Sequence, residues 1–286
     1  MIDIVKKLDS IQYRHKPLGF IVAVIKRYGN DQAGKQAALI TYYLFMSLFP
    51  LLLWLSLFSN WINRYYPGVA TTLIHGATNY FPVLGQELFK IAHSAHRSLT
   101  GMLVAGLVAL YGARGTAMAF MTIVNDAWNV PKKQRKGFPY SWIRGVLIVV
   151  VGGGGFVLTA AASSWALVQT NGNIFKVLIA LGSIALLTLV FMAILKLSLP
   201  SSTHVKRLFG GALSMAIALS LLQVIGGFIV THDLKHYANA YTALFATTLG
   251  LLAWIYLEAQ ILIYSIEITV VLDKKLWPVR LQKTDN

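Results

Sequence analysis

The sequence predicts an all-α membrane protein: a six-transmembrane-helix bundle with an N-terminal interfacial helix and short outer helices between spans 1 and 2. Three observations carry that prediction. The 286 residues are 56% hydrophobic and only 12% charged, where soluble domains carry about 25% charged residues. Six apolar stretches each exceed the roughly 20 residues that a helix needs to cross a bilayer. The connections between them alternate between rich and poor in lysine and arginine, as loops on the two sides of a membrane do.

Residues 1–35 form a cytoplasmic arm and interfacial helix. Met1–Lys16 is polar and mixed in charge, with no apolar core ahead of a small-residue cleavage site, so the first span also serves as targeting signal. Pro17–Tyr28 (PLGFIVAVIKRY) is apolar but only about three turns long, too short to span. Lys26, Arg27 and Lys35 behind it suit a helix lying on an anionic leaflet; a plain lead-in to the first span is the alternative.

The membrane domain covers 36–272, with spans at about 36–61, 102–124, 142–168, 174–199, 208–230 and 242–272. In the first, Tyr43, Ser47, Pro50 and Trp54 share one face. Pro50 should kink the helix and free a carbonyl. The second contains Arg114. The third contains Gly152–Gly155, which permit close helix approach or local unwinding. The fourth ends at Pro200, the fifth carries Gln223 and Gly226–Gly227, and the sixth is long enough to tilt or protrude. Between spans 1 and 2, LFKIAHSAHRS places Leu88, Ile91, Ala92 and Ala95 on an apolar face, so short helices should cover the outer mouth. Residues 273–286 are a cytoplasmic tail.

Orientation follows from the basic residues. Seventeen Lys and Arg lie in 1–35, 125–141, 200–207 and 273–286, against four in the alternate segments. Both termini are therefore expected in the cytoplasm. The same distribution accounts for the net charge of +15 without a nucleic-acid partner.

Arg114 is the first functional suspect. An arginine at mid-span costs roughly 2.5–3.5 kcal/mol on insertion scales, so it usually faces a bundle interior or a watery cavity. At about 100° per residue, Tyr111, Met118, Met121, Asn125 and Trp128 share its face. Two readings stand: a lining that attracts an anionic group, or a buried ion pair that fixes helix register. Glu258, at similar depth in the sixth span, is the expected partner. Glu267 lies on the opposite face of that helix with Tyr256 and Gln260, so the sixth span should be central.

Other chemistry finds little support. The chain has no cysteine. It also lacks GxSxG, HExxH and P-loop motifs, and its ten acidic residues are scattered. An enzyme, ribonuclease included, is not expected, and no cofactor is. His93 with His96, and His232 with His236, have metal-compatible spacing. Nothing in the sequence brings the pairs together, so no metal site is assigned.

ALITYYLFMSLFPLLL (38–53), ARGTAMAFMTIVNDAWNV (113–130) and YTALFATTLGLLAWIYLEAQILIYSIEI (241–268) resemble the YihY/virulence factor BrkB family, over about residues 17–272. These are six-span bacterial inner-membrane proteins, once labelled ribonuclease BN. The resemblance implies family positions at Tyr42, Tyr43, Pro50, Arg114, Gly115, Asn125, Trp128, Trp254, Tyr256 and Glu267. Glu258 departs from a position that is usually small or apolar. The family is linked to serum resistance and to export of envelope lipid or lipopolysaccharide. The expectation is therefore a transporter or flippase-like exporter of an anionic envelope lipid or solute, with Arg114, Asn125, Trp128, Glu258, Glu267, Tyr43, Pro50 and Tyr256 on its path. The alternative is a non-transporting scaffold of an envelope-assembly complex. Membrane lipids are the expected partners, and a homo-oligomer is compatible with the sequence.

Overall fold

The computed structural model describes residues 16–62, 99–135, 137–169, 172–200, 203–233 and 240–277. Among them the regular structure is helical, without a strand. Helix α1 is Lys16–Asn30 and α2 is Ala33–Ile62. Helices α3 (Leu99–Ala127), α4 (Tyr140–Gln169) and α5 (Asn173–Ser198) follow. Helices α6 (Phe209–Asp233) and α7 (Ala240–Lys274) complete the order. Among the described residues, five helical stretches are long and apolar enough to cross a membrane: Leu103–Ala127, Tyr140–Thr159, Ile174–Ser198, Val205–Gly226 and Thr248–Lys274. The expected outer helices, with His75, His93, His96 and His236, lie outside the described residues, as does the His232 side chain.

Local chemistry sets the helix ends. Gln32, Asn129 and Lys275 follow α1, α3 and α7 with φ of 51°, 53° and 50°, the left-handed conformation that commonly terminates a helix. At Asn129 the motif is complete. Its N–H donates to the Asp126 carbonyl at 2.8 Å, and the Val130 N–H donates to the Asn125 carbonyl at 2.9 Å. These bonds satisfy carbonyls that a helix end would otherwise leave open. Pro50 does not break α2, which continues through it for 30 residues in all.

Six helices close into a ring in the order α2, α3, α4, α5, α6, α7, and α1 lies against α7. Small residues permit the close contacts. A Cβ on Gly112 of α3 would stand 2.7 Å from the Ser47 Cβ of α2. Gly211 of α6 leaves room for the Thr269 side chain of α7, and Gly226 for the Trp254 ring. In α4, Gly152 and Gly155 meet Ile194 and Val190 of α5, while Gly153 and Gly154 meet nothing. The glycine run thus serves close approach within an unbroken helix, not unwinding.

Among the described residues, the largest buried side chains, including Val124, Leu195, Leu208, Met215, Ile263 and Ile266, sit towards one end of the ring. That end carries the α3–α4 and α5–α6 connections and the end of α7, and we call it the basic end. Outward-facing surface is apolar, including Leu107, Leu158, Val177, Leu189 and Val224, as lipid contact requires.

Candidate functional site

At the basic end, cations gather round the end of α3. Arg27 of α1 donates through Nε to Glu267 of α7 at 2.7 Å and through a terminal nitrogen to the Ala127 carbonyl at 2.7 Å. It also pairs with Asp31 at 3.2 Å. Lys274 donates to the Trp128 carbonyl at 2.7 Å. Arg135 donates to the Val130 carbonyl at 2.9 and 3.0 Å and pairs with Asp126 at 2.7 Å. Three cations thus meet the negative end of one helix dipole and its spare carbonyls.

Four expected path residues belong to this end or beside it. Glu267, 1% exposed, is taken up by Arg27. Trp128 donates from Nε1 to Asp273 at 3.3 Å. Asn125 donates from Nδ2 to the Met121 carbonyl at 2.6 Å and to the Ser198 carbonyl at 3.0 Å, tying α3 to α5. Tyr256 is half-buried, its hydroxyl beside Gly34 at the start of α2. Nearby, Tyr28 stacks on Tyr264 at 4.0 Å and donates its hydroxyl to Gln260. Asn125 and Trp128 therefore share a helix face with Arg114 but not its surroundings.

Arg114 itself is half-buried, and its Nε is buried without a hydrogen-bond partner. Among the described residues it forms no ion pair with Glu258. That expectation is corrected: Glu258, also half-buried, accepts from Trp254 Nε1 at 2.9 Å on its own helix. The ring order supplies the reason. Helix α2 stands between α3 and α7, with Tyr43 against Gly115, Ser47 against Gly112 and Trp54 against Gly106. Arg114 points away from that contact, towards Gly145 of α4, where a Cβ would lie 3.9 Å from the Arg114 Cγ. Equal depth in two helices did not make them neighbours. Pro50 is half-buried in α2, one turn beyond Ser47.

Sequence reasoning missed Arg27, Asp273, Lys274 and Ser198. Arg27, Asp273 and Lys274 cluster near helix ends, which topology counting treats only as orientation signals. The Ser198 contribution is a backbone carbonyl and carries no sequence signal at all. A cleft of about 200 Å³ between α4 and α5, lined by Ala162, Ser163, Ile179, Gly182, Ser183 and Leu186, includes none of the expected path residues.

The family model of Virulence factor BrkB matches residues 24–284. The chain belongs to that family. For this BrkB-family chain, no curated protein and no solved structure gives a match. The match spans α1 from Val24 to the tail beyond α7, so both the basic-end cluster and Arg114 lie within the BrkB-family region.

Proposed function

We propose that this BrkB-family membrane protein moves an anionic envelope lipid or solute across the bacterial inner membrane, as a transporter or flippase-like exporter. The observation that carries the reading is Arg114. A mid-membrane guanidinium costs several kcal/mol by rough estimate, and here no carboxylate offsets it among the described residues. A cation left unpaired at that depth is suited to a passing anion. In this reading α2 is the first of six spans, added to the five apolar stretches, α1 lies at the interface, and the basic end with both termini faces the cytoplasm. No catalytic step is assigned.

The test is lipid scrambling or transfer by the purified full-length chain in proteoliposomes, read with a labelled phosphatidylglycerol. Movement should depend on the protein and fall at least tenfold in Arg114→Gln. Absence of movement under a proton or sodium gradient of either sign, with folded protein, would overturn the reading. A scaffold without transport is the second reading, favoured by the ion pairs that tie α1, α3 and α7 together at the basic end.

A further inference from the structure

The face of α3 that bears Arg114 changes character at Arg114. Before it, Leu103, Leu107, Leu110 and Tyr111 are 56, 68, 38 and 75% exposed. After it, Ala117, Met121, Asn125 and Trp128 on the same side are all less than a tenth exposed. Helix α4 explains the change. Gly145 lies against Met118 and Arg114, but about two and three turns further along the helix, Gly152 and Gly155 lie against Ile194 and Val190 of α5. As α4 leaves the basic end, it turns its contact face from α3 to α5. The two helices part at Arg114.

The result is a notch open to the side of the ring, with a cation at its base and leucines above. We propose that this notch binds the phosphate-bearing headgroup of an anionic membrane lipid against Arg114, with the acyl chains running along Leu103, Leu107 and Leu110. The notch is entered from the membrane, not from water. Charge complementarity supplies the headgroup side: among the described residues Arg114 forms no ion pair, its side chain is half-buried, and the terminal nitrogens of a guanidinium present parallel N–H donors to phosphate oxygens. The apolar approach supplies the other side. A soluble anion would have to cross that leucine surface without its hydration shell, whereas a lipid carries its own chains to cover it. This inference rests on the anionic-cargo reading above and adds the cargo class and its route.

The absence of native cysteine allows a site-specific test. Leu107→Cys carries a spin label in the notch, and Leu181→Cys, 57% exposed on α5, carries the control label. The full chain is placed in phosphatidylcholine nanodiscs and titrated with doxyl-tailed phosphatidylglycerol. The notch label should report enrichment of phosphatidylglycerol over doxyl-tailed phosphatidylcholine by about tenfold, as one charge-assisted hydrogen bond or more would give. The control label should report none. Arg114→Gln should abolish the preference. Gly145→Leu, which crowds the base of the notch with Arg114 intact, should weaken it, and this second variant decides the matter if Arg114→Gln fails to fold.

Equal enrichment at both labels, or a preference that survives in the folded variants, would overturn the proposal. Displacement of the lipid by millimolar inorganic phosphate would also overturn it, by assigning the site to a soluble anion. Binding is read without transport. Enrichment with no lipid movement sinks the transport reading alone, and movement without enrichment sinks this one alone.

Discussion

Arg27 Nε and Glu267 Oε2 lie 2.7 Å apart, joining α1 to α7 across 240 residues of chain. Glu267 is 1% exposed, and the same guanidinium also caps α3 through the Ala127 carbonyl. One arginine thereby fixes three helices. Removing Arg27 should strand Glu267 in a dry site, at a cost of about 3–5 kcal/mol. Arg27→Ala should destabilise by that order in micelle unfolding, and Glu267→Ala by less, because Arg27 keeps Asp31 and the Ala127 carbonyl. The double variant should lose far less than the sum; additivity would show that the pair is not coupled.

Arg114 should behave in the opposite way. With its Nε buried and unpartnered, replacement by leucine should stabilise the folded chain, by roughly 1–3 kcal/mol for a buried donor left unpaired. Lipid movement should be lost in the same variant. A raised unfolding midpoint with lost function separates a binding arginine from a structural one; a lowered midpoint would assign Arg114 to the fold.

Asn125 is the contrasting case. Asn125→Ala removes the donor to the Ser198 carbonyl and should cost about 1–3 kcal/mol. Lipid selectivity at the Leu107 label should be unchanged, because Asn125 closes the α3–α5 contact and does not face the notch.

Gly211 should tolerate no side chain. A Cβ there would overlap the Thr269 side chain and stand 2.9 Å from the Ser265 carbonyl. Gly211→Val should cost at least the roughly 1–3 kcal/mol typical of overpacking, measured against Gly153→Val, which meets nothing within 4 Å.

The Tyr28 hydroxyl, on α1 and outside the five apolar stretches, is pushed above its usual 10 by burial and then by the neighbouring Tyr264. Folding favours its neutral form, so its contribution is fully present below pH about 10 and is lost as pH rises through the raised value. Phenolate absorbance at alkaline pH should therefore show one tyrosine fewer titrating in Tyr28→Phe, missing from the late part of the curve. Loss from the early part would contradict the burial.

Helix existence and length were legible in the residues because a bilayer imposes a simple requirement: about 20 apolar residues with their backbone bonded internally. The expected spans 36–61, 102–124, 142–168 and 242–272 fall within helices that extend at most three residues further at either end. Arg114 stood out for the same reason, as a charge where the solvent is hydrocarbon. Periodicity also put Asn125 and Trp128 on its face, and there its information ended.

Which neighbour each face meets was decided only by the ring. Helical spacing gives an angle about one axis, whereas a contact depends on where the next axis lies. Glycines at 106, 112 and 115 drew α2 onto α3 and kept α7 away from Arg114. Glu258 was left to Trp254, and Glu267 to an arginine 240 residues distant. By itself the sequence determined a helical membrane protein with a costly arginine at mid-depth. The tertiary structure decided that this arginine has no ion pair among the described residues and sits where two helices part, because close packing at small residues, not matching depth, selects helix neighbours.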